Sequence, residues 1–146
     1  MESQIKDNFI PNIGIGKLRF LDNELTIKEK IGVPNYEKKD TKNNKDYTLH
    51  LSYEDLGIDC FVHYEDSFFS YTSFHLQSLT INNIDLINMT EKECVNFLKD
   101  YHLNLNIKYV MHMTNDDEKI LFFENIGLTI WFSMCNITDL SIEPIW

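Results

Sequence analysis

Tyr53-Glu54-Asp55-Leu56-Gly57-Ile58-Asp59-Cys60-Phe61-Val62 and Phe123-Glu124-Asn125-Ile126-Gly127-Leu128-Thr129-Ile130-Trp131-Phe132 align at an offset of 70 residues. Glu and Gly are identical in the pair, and the flanking aromatic and aliphatic positions keep their character. In each, Leu56-Gly57 or Ile126-Gly127 falls where a hairpin would turn, with strand patterns on either side. Further out, Gly16 to Asp22 lines up with Ile84 to Thr90 at an offset of 68, and Ser73-Phe74-His75-Leu76 with Ser141-Ile142-Glu143-Pro144 at the same offset. The shared order of elements predicts internal repeats over about 10–79 and 80–146. Neither half is long enough for a substantial core of its own, so residues 1–146 are expected to form a single domain.

Working outward, Leu18 to Phe20 reads as a short strand, and Asp22 as the N-cap of a helix over about 23–31, with Gly32 and Pro34 stopping it. Thr90 and Glu93 have the spacing of a capping box, with Cys94, Val95 and Leu98 on one face of the helix that follows. Tyr47, Leu49, Leu51 and Tyr53 alternate with Thr48, His50 and Ser52, the period of a half-buried strand. Such alternation implies an antiparallel sheet with one covered face. The expected fold is therefore α+β: two tandem helix-plus-antiparallel-strand repeats in a two-layer domain, with the helices on one face of the sheet.

The 146 residues carry 13 Lys plus Arg against 23 Asp plus Glu, a net charge of −10. Residues 1–45 hold nine basic and seven acidic side chains, whereas residues 46–146 hold four and sixteen. A chain this acidic, with Arg19 as its one arginine, gains nothing from phosphate contacts, which disfavours nucleic acid as a partner. No apolar stretch approaches a membrane span, and Met1 to Asp7 has no signal-peptide pattern. Cys60, Cys94 and Cys135 are three and widely spaced, which suits a reducing compartment better than a disulfide framework. A cytoplasmic protein is expected.

The five His and three Cys residues are the candidates for chemistry. Cys60-x-x-His63, with Glu65, Asp66, His50 and His75 nearby, has no second motif to complete a zinc site. Cys60 also aligns with Ile130, so it reads as a small buried hydrophobe. Ile13-Gly14-Ile15-Gly16 lacks the third glycine of a dinucleotide fingerprint, and no Gly-x-Ser-x-Gly or His-Glu-x-x-His is present. No catalytic residue, metal or cofactor is expected, and the chain reads as a non-enzyme.

Phe61 to Phe74 contains six Phe and Tyr residues around Glu65 and Asp66. A hairpin there must turn some of Tyr64, Phe68, Phe69 and Tyr71 outward. Exposed rings beside carboxylates suit a basic protein surface, since rings supply apolar burial and carboxylates supply steering. The expected partner-binding residues are Tyr64, Glu65, Asp66, Phe69 and Tyr71, with Asp116, Asp117 and Glu118 as a second acidic cluster.

The order of Gly-Ile-Gly, short strand, capped helix, Gly-x-Pro, and then aromatic-Glu-Asp-Leu-Gly-Ile, resembles small tandem-repeat proteins of bacteria. It is similar in architecture to β-lactamase inhibitor protein and the small lipoprotein of the outer-membrane assembly machinery. It looks still more like the immunity proteins of bacterial toxin and contact-dependent growth inhibition systems. The second copy departs from the pattern by lacking Gly-x-Pro after its helix. The resemblance implies an immunity protein that neutralises a cognate basic toxin domain, a nuclease for instance, by stoichiometric occlusion. The alternative is a non-enzymatic interaction or scaffold module without a toxin partner.

Overall fold

A computed structural model describes residues 8–101, 107–112 and 118–145. In chain order the elements are β1 (Phe9–Ile10), β2 (Gly14–Ile15), β3 (Leu18–Arg19), α1 (Glu24–Ile31), β4 (Tyr36–Thr41), β5 (Tyr47–Tyr53), β6 (Ile58–Glu65) and β7 (Phe68–Leu76). They continue with β8 (Thr80–Ile81), β9 (Ile84–Asp85), α2 (Glu91–Tyr101), β10 (Ile107–His112), β11 (Glu118–Phe123), β12 (Leu128–Ser133) and β13 (Asn136–Ile142). Eight of these strands form one sheet in the order β10-β11-β12-β13-β7-β6-β5-β4, every neighbour antiparallel. Two four-stranded meanders thus share the sheet, joined where β13 pairs with β7 through Leu140↔Leu76 and Ile142↔Phe74.

Period-two alternation decides which face is dry. Leu51 and Tyr53, Ile58, Cys60 and Val62, Thr72, Phe74 and Leu76, Leu128, Ile130 and Phe132, and Leu140 and Ile142 all point the same way and are buried. They meet Phe9, Ile15, Leu18, Phe20 and Ile27 from the N-terminal elements, Leu79, Ile81 and Leu86 around β8–β9, and Cys94 and Leu98 of α2 in one core cluster. The layer against the sheet is therefore assembled largely from a three-stranded sheet (β1-β2-β3), a two-stranded one (β8-β9) and the segments around them.

This corrects the expected α+β class and its description as two helix-plus-strand repeats with helices covering one face. The protein is mostly β, and the two α-helices among the described residues are 8 and 11 residues long. The reason lies in burial: α1 buries Ile27 fully, with Ile31 partly buried against the core, and α2 buries Cys94 and Leu98 fully, with Val95, Phe97 and Tyr101 at their edge. Two short helices leave much of the cover to extended segments whose alternation is too short to read. Two-residue strands carry almost no periodic signal.

The helix ends also have definite chemistry. Asn23, not Asp22, caps α1, its side-chain oxygen accepting from Thr26 N–H at 3.0 Å. Asp22 is instead buried, where its carboxylate accepts from Arg19 N–H at 2.8 Å and from Lys30 Nζ at 2.7 Å. At α2, Glu93 N–H donates to Thr90 Oγ1 at 3.2 Å while Thr90 N–H donates to the Glu93 carboxylate at 3.0 Å, a reciprocal capping box.

Candidate functional site

The face of the large sheet opposite the core is lined by the other half of each alternation. Thr48, His50 and Ser52 on β5, Asp59, Phe61 and His63 on β6, Tyr71, Ser73 and His75 on β7, Asp139 and Ser141 on β13, and Thr129 and Trp131 on β12 are all partly or fully exposed. Register brings their rings into a row. Tyr36 lies edge-on to His50 with centroids 5.9 Å apart. His50 stacks on Phe61 at 4.6 Å and 10°, Phe61 tilts toward His75 at 6.4 Å, and His75 stacks on Trp131 at 5.5 Å and 15°. Five rings from five strands thus run obliquely across the sheet: His50 and Phe61 are directly opposed, and the other steps are two-residue diagonals, the last of them spanning β13.

Carboxylates are set into this row. His50 Nε2 lies 2.9 Å from Asp59 Oδ1, and His75 Nε2 lies 3.2 Å from Asp139 Oδ1. An ionised carboxylate only accepts, so in each pair the imidazole donates through Nε2. Asp59 stands directly across from His75 in the β6–β7 register, and Asp139 across from Trp131 in the β12–β13 register. The centre of the face is therefore His75 flanked by two carboxylates and two rings.

His63 holds a second position on the same face. It stacks on Tyr71 at 4.4 Å, with Nδ1 3.2 Å from Thr48 Oγ1 and Nε2 3.0 Å from Ser73 Oγ. Burial first, and the Lys42 ammonium second, hold its pKa below the usual imidazole value. Burial and the Glu143 carboxylate push the Tyr71 phenol up, and burial raises Glu143 itself. A cavity of about 330 Å³ opens here, with His63, Glu65, Asp66 and Tyr71 in its lining.

The expected partner-binding residues are only partly brought together. Tyr64 and Phe69 turn to the core side, where Tyr64 stacks on Tyr47 at 4.5 Å and meets Phe69 edge-on at 6.1 Å. Glu65 is exposed, and Asp66 is exposed in the β6–β7 turn. Tyr71 is on the open face, and Phe68, 76% exposed, is the most accessible ring of the hairpin. Asp116 and Asp117 lie outside the described residues; Glu118 is exposed at the start of β11. Glu118 pairs with Ser133, so it sits toward the end of the sheet where β7 finishes at Leu76, away from the β6–β7 turn. Glu118 and the Glu65–Asp66 turn therefore occupy opposite ends.

Sequence reasoning missed the ring row because Trp131 joins it only through the β13–β7 junction, and the other rings come together through the register of four successive strands. The one local signal is that His50, Phe61, His63 and His75 occupy the non-core positions of their strands. The same alternation disposes of the zinc motif: Cys60 points into the core and His63 away from it. No group of three or more metal-binding side chains converges among the described residues. Burial raises the Cys60 thiol far above its usual value and pushes Cys94 up to about 12, so neither is a ready nucleophile. No helix among the described residues is long and apolar enough to cross a membrane. No family model, curated protein or solved structure matches the chain.

Proposed function

We propose that the chain is a non-enzymatic protein-binding module that docks a basic protein on the open face of its eight-stranded sheet. The observation that carries the reading is the ring row of Tyr36, His50, Phe61, His75 and Trp131 with Asp59 and Asp139 set into it. Half-exposed rings offer apolar area at low entropic cost, and a rim of charge gives orientation and speed of encounter. The sign of that charge favours a cationic partner: Asp59, Asp139, Glu118 and Glu143 outnumber Lys38, itself 3.5 Å from Asp40, and Lys42 beside His63.

The specific form we propose is neutralisation of a toxin domain by one-to-one occlusion. It is supported by size, by the excess of acid beyond residue 46 and by the resemblance to immunity proteins. The test is titration of the purified chain with the basic domain encoded beside its gene, followed by calorimetry. A one-to-one complex, weakened at least tenfold by Trp131→Ala or Phe61→Ala, is the expected result. No complex would remove the toxin reading, and a complex indifferent to both substitutions would remove the docking face.

A further inference from the structure

We propose that the cleft between α2 and the sheet binds an alkyl carboxylate, its chain on Val95 and Leu121 and its head group at the ammoniums of Lys92 and Lys99. The cleft has a volume of about 620 Å³, inside the range of small-molecule sites, roughly 300–1,000 Å³. It lies on the covered side of the large sheet: Leu121 points to the core, whereas Ile120 and Phe122 beside it on β11 do not. The site is therefore separate from the ring row and does not depend on the docking of a protein there. Its wall along α2 runs from Glu91 to Lys99, about 12 Å at the rise of an α-helix, which is the length of an extended alkyl chain.

Charge selects the head group. Residues 46–146 hold four basic side chains, and three of them gather here: Lys92 and Lys99 in the wall, and Lys119 with its Nζ 2.9 Å from Glu91 Oε1. That pair neutralises the carboxylate of the wall. Lys92 and Lys99 are exposed and have no acidic partner among the described residues. With Asn96 they recur at spacings of four and three, so the three polar ends lie along one helix face. In a chain of net charge −10, such an uncompensated cationic strip beside an apolar floor is where an anionic amphiphile gains most. The cleft is also set before a ligand arrives. Glu91 N–H donates to Cys135 O at 3.0 Å and Thr90 bridges Asn136, which pins the start of α2 to the β12–β13 turn.

Cys135 lines the cleft and is exposed, whereas Cys60 and Cys94 are buried, so alkylation of the full chain by iodoacetamide reads occupancy. Sodium decanoate, below its micellar concentration and at fixed ionic strength, is expected to slow the reaction about tenfold at saturation by covering the thiol. Octanoate and hexanoate should need successively higher concentrations, because each CH₂ removed takes apolar contact with it. Decyltrimethylammonium, with a chain of the same length and the opposite charge, should not protect. Lys92→Gln and Lys99→Gln should each raise the half-protecting concentration of decanoate about fivefold, the loss of one exposed charge pair. Lys38→Gln, on β4 at the other edge of the sheet, should leave it unchanged. Thermal melts of the variants report that the fold is kept. Absence of protection by decanoate, equal protection by the cationic amphiphile, or a half-protecting concentration unmoved in both α2 variants overturns the site.

Discussion

Gly57 and Gly127 have the same left-handed backbone, φ 66° and 65°, yet a methyl group would meet different neighbours at the two positions. At Gly57 the nearest atom is Gln77 Oε1 at 3.2 Å, the end of a flexible side chain; at Gly127 it is the Glu143 carbonyl oxygen at 2.2 Å. Gly57→Ala should therefore cost about 1–2 kcal/mol, the penalty of the conformation alone. Gly127→Ala should cost clearly more, since backbone that donates Glu143 N–H to Gly127 O at 2.9 Å would have to move. Urea denaturation of both variants measures the difference, and equal costs would contradict the account. His63 gives a pH prediction. Its folded pKa is depressed, so below about pH 6.5 the unfolded chain takes up a proton that the folded chain resists. Stability is then full above about pH 6.5 and declines as pH falls toward the folded value. His63→Gln should flatten that slope, read from thermal midpoints between pH 7.5 and 5. A slope unchanged in the variant would place the acid sensitivity elsewhere.

At the scale of elements, three hairpins turn on two residues with positive φ: Asp66-Ser67, Asn82-Asn83 and Met134-Cys135. Asparagine and aspartate tolerate that conformation, but Met134 and Cys135 at φ 52° and 69° pay for it without side-chain compensation. The double change Met134→Asn with Cys135→Gly is expected to stabilise the protein by about 1 kcal/mol, because the contact from Glu91 N–H to Cys135 O is made by backbone and survives. Guanidinium denaturation checks it; a loss of stability would show that these side chains contribute contacts of their own. Thr90→Ala should cost about 1 kcal/mol through the α2 capping box. How far such elements could be read from sequence followed from their length. Seven residues of alternation in β5, the Thr90–Glu93 spacing and the two glycine loops were legible. The two-residue strands that form much of the second layer were not. A bulge in the β6–β7 pairing, between His63↔Tyr71 and Tyr64↔Phe69, also sends Phe69 inward while Tyr71 stays outward. Without it the two would share a face.

For the whole molecule, the net charge of −10 separates folding from association. Pairs such as Lys28–Glu24 and Lys28–Glu37 in the N-terminal part, and Lys119–Glu91 across to α2, tie basic residues to neighbouring acids. The carboxylates of the open face are left to shape encounter. The location of the ring row could not be read from any one segment, since β7 and β13 are neighbours only because the two meanders join edge to edge. Association with a basic partner should accordingly be fast at low salt and slow by about tenfold or more as salt rises, while dissociation, governed by the rings, changes little. The most direct test of the docking face is the binding of the basic partner domain to the unmodified chain and to the Phe61→Ala, Trp131→Ala double variant, measured by calorimetry at fixed salt. The ring row predicts that the folded double variant loses at least a hundredfold in affinity, and unchanged affinity would contradict it.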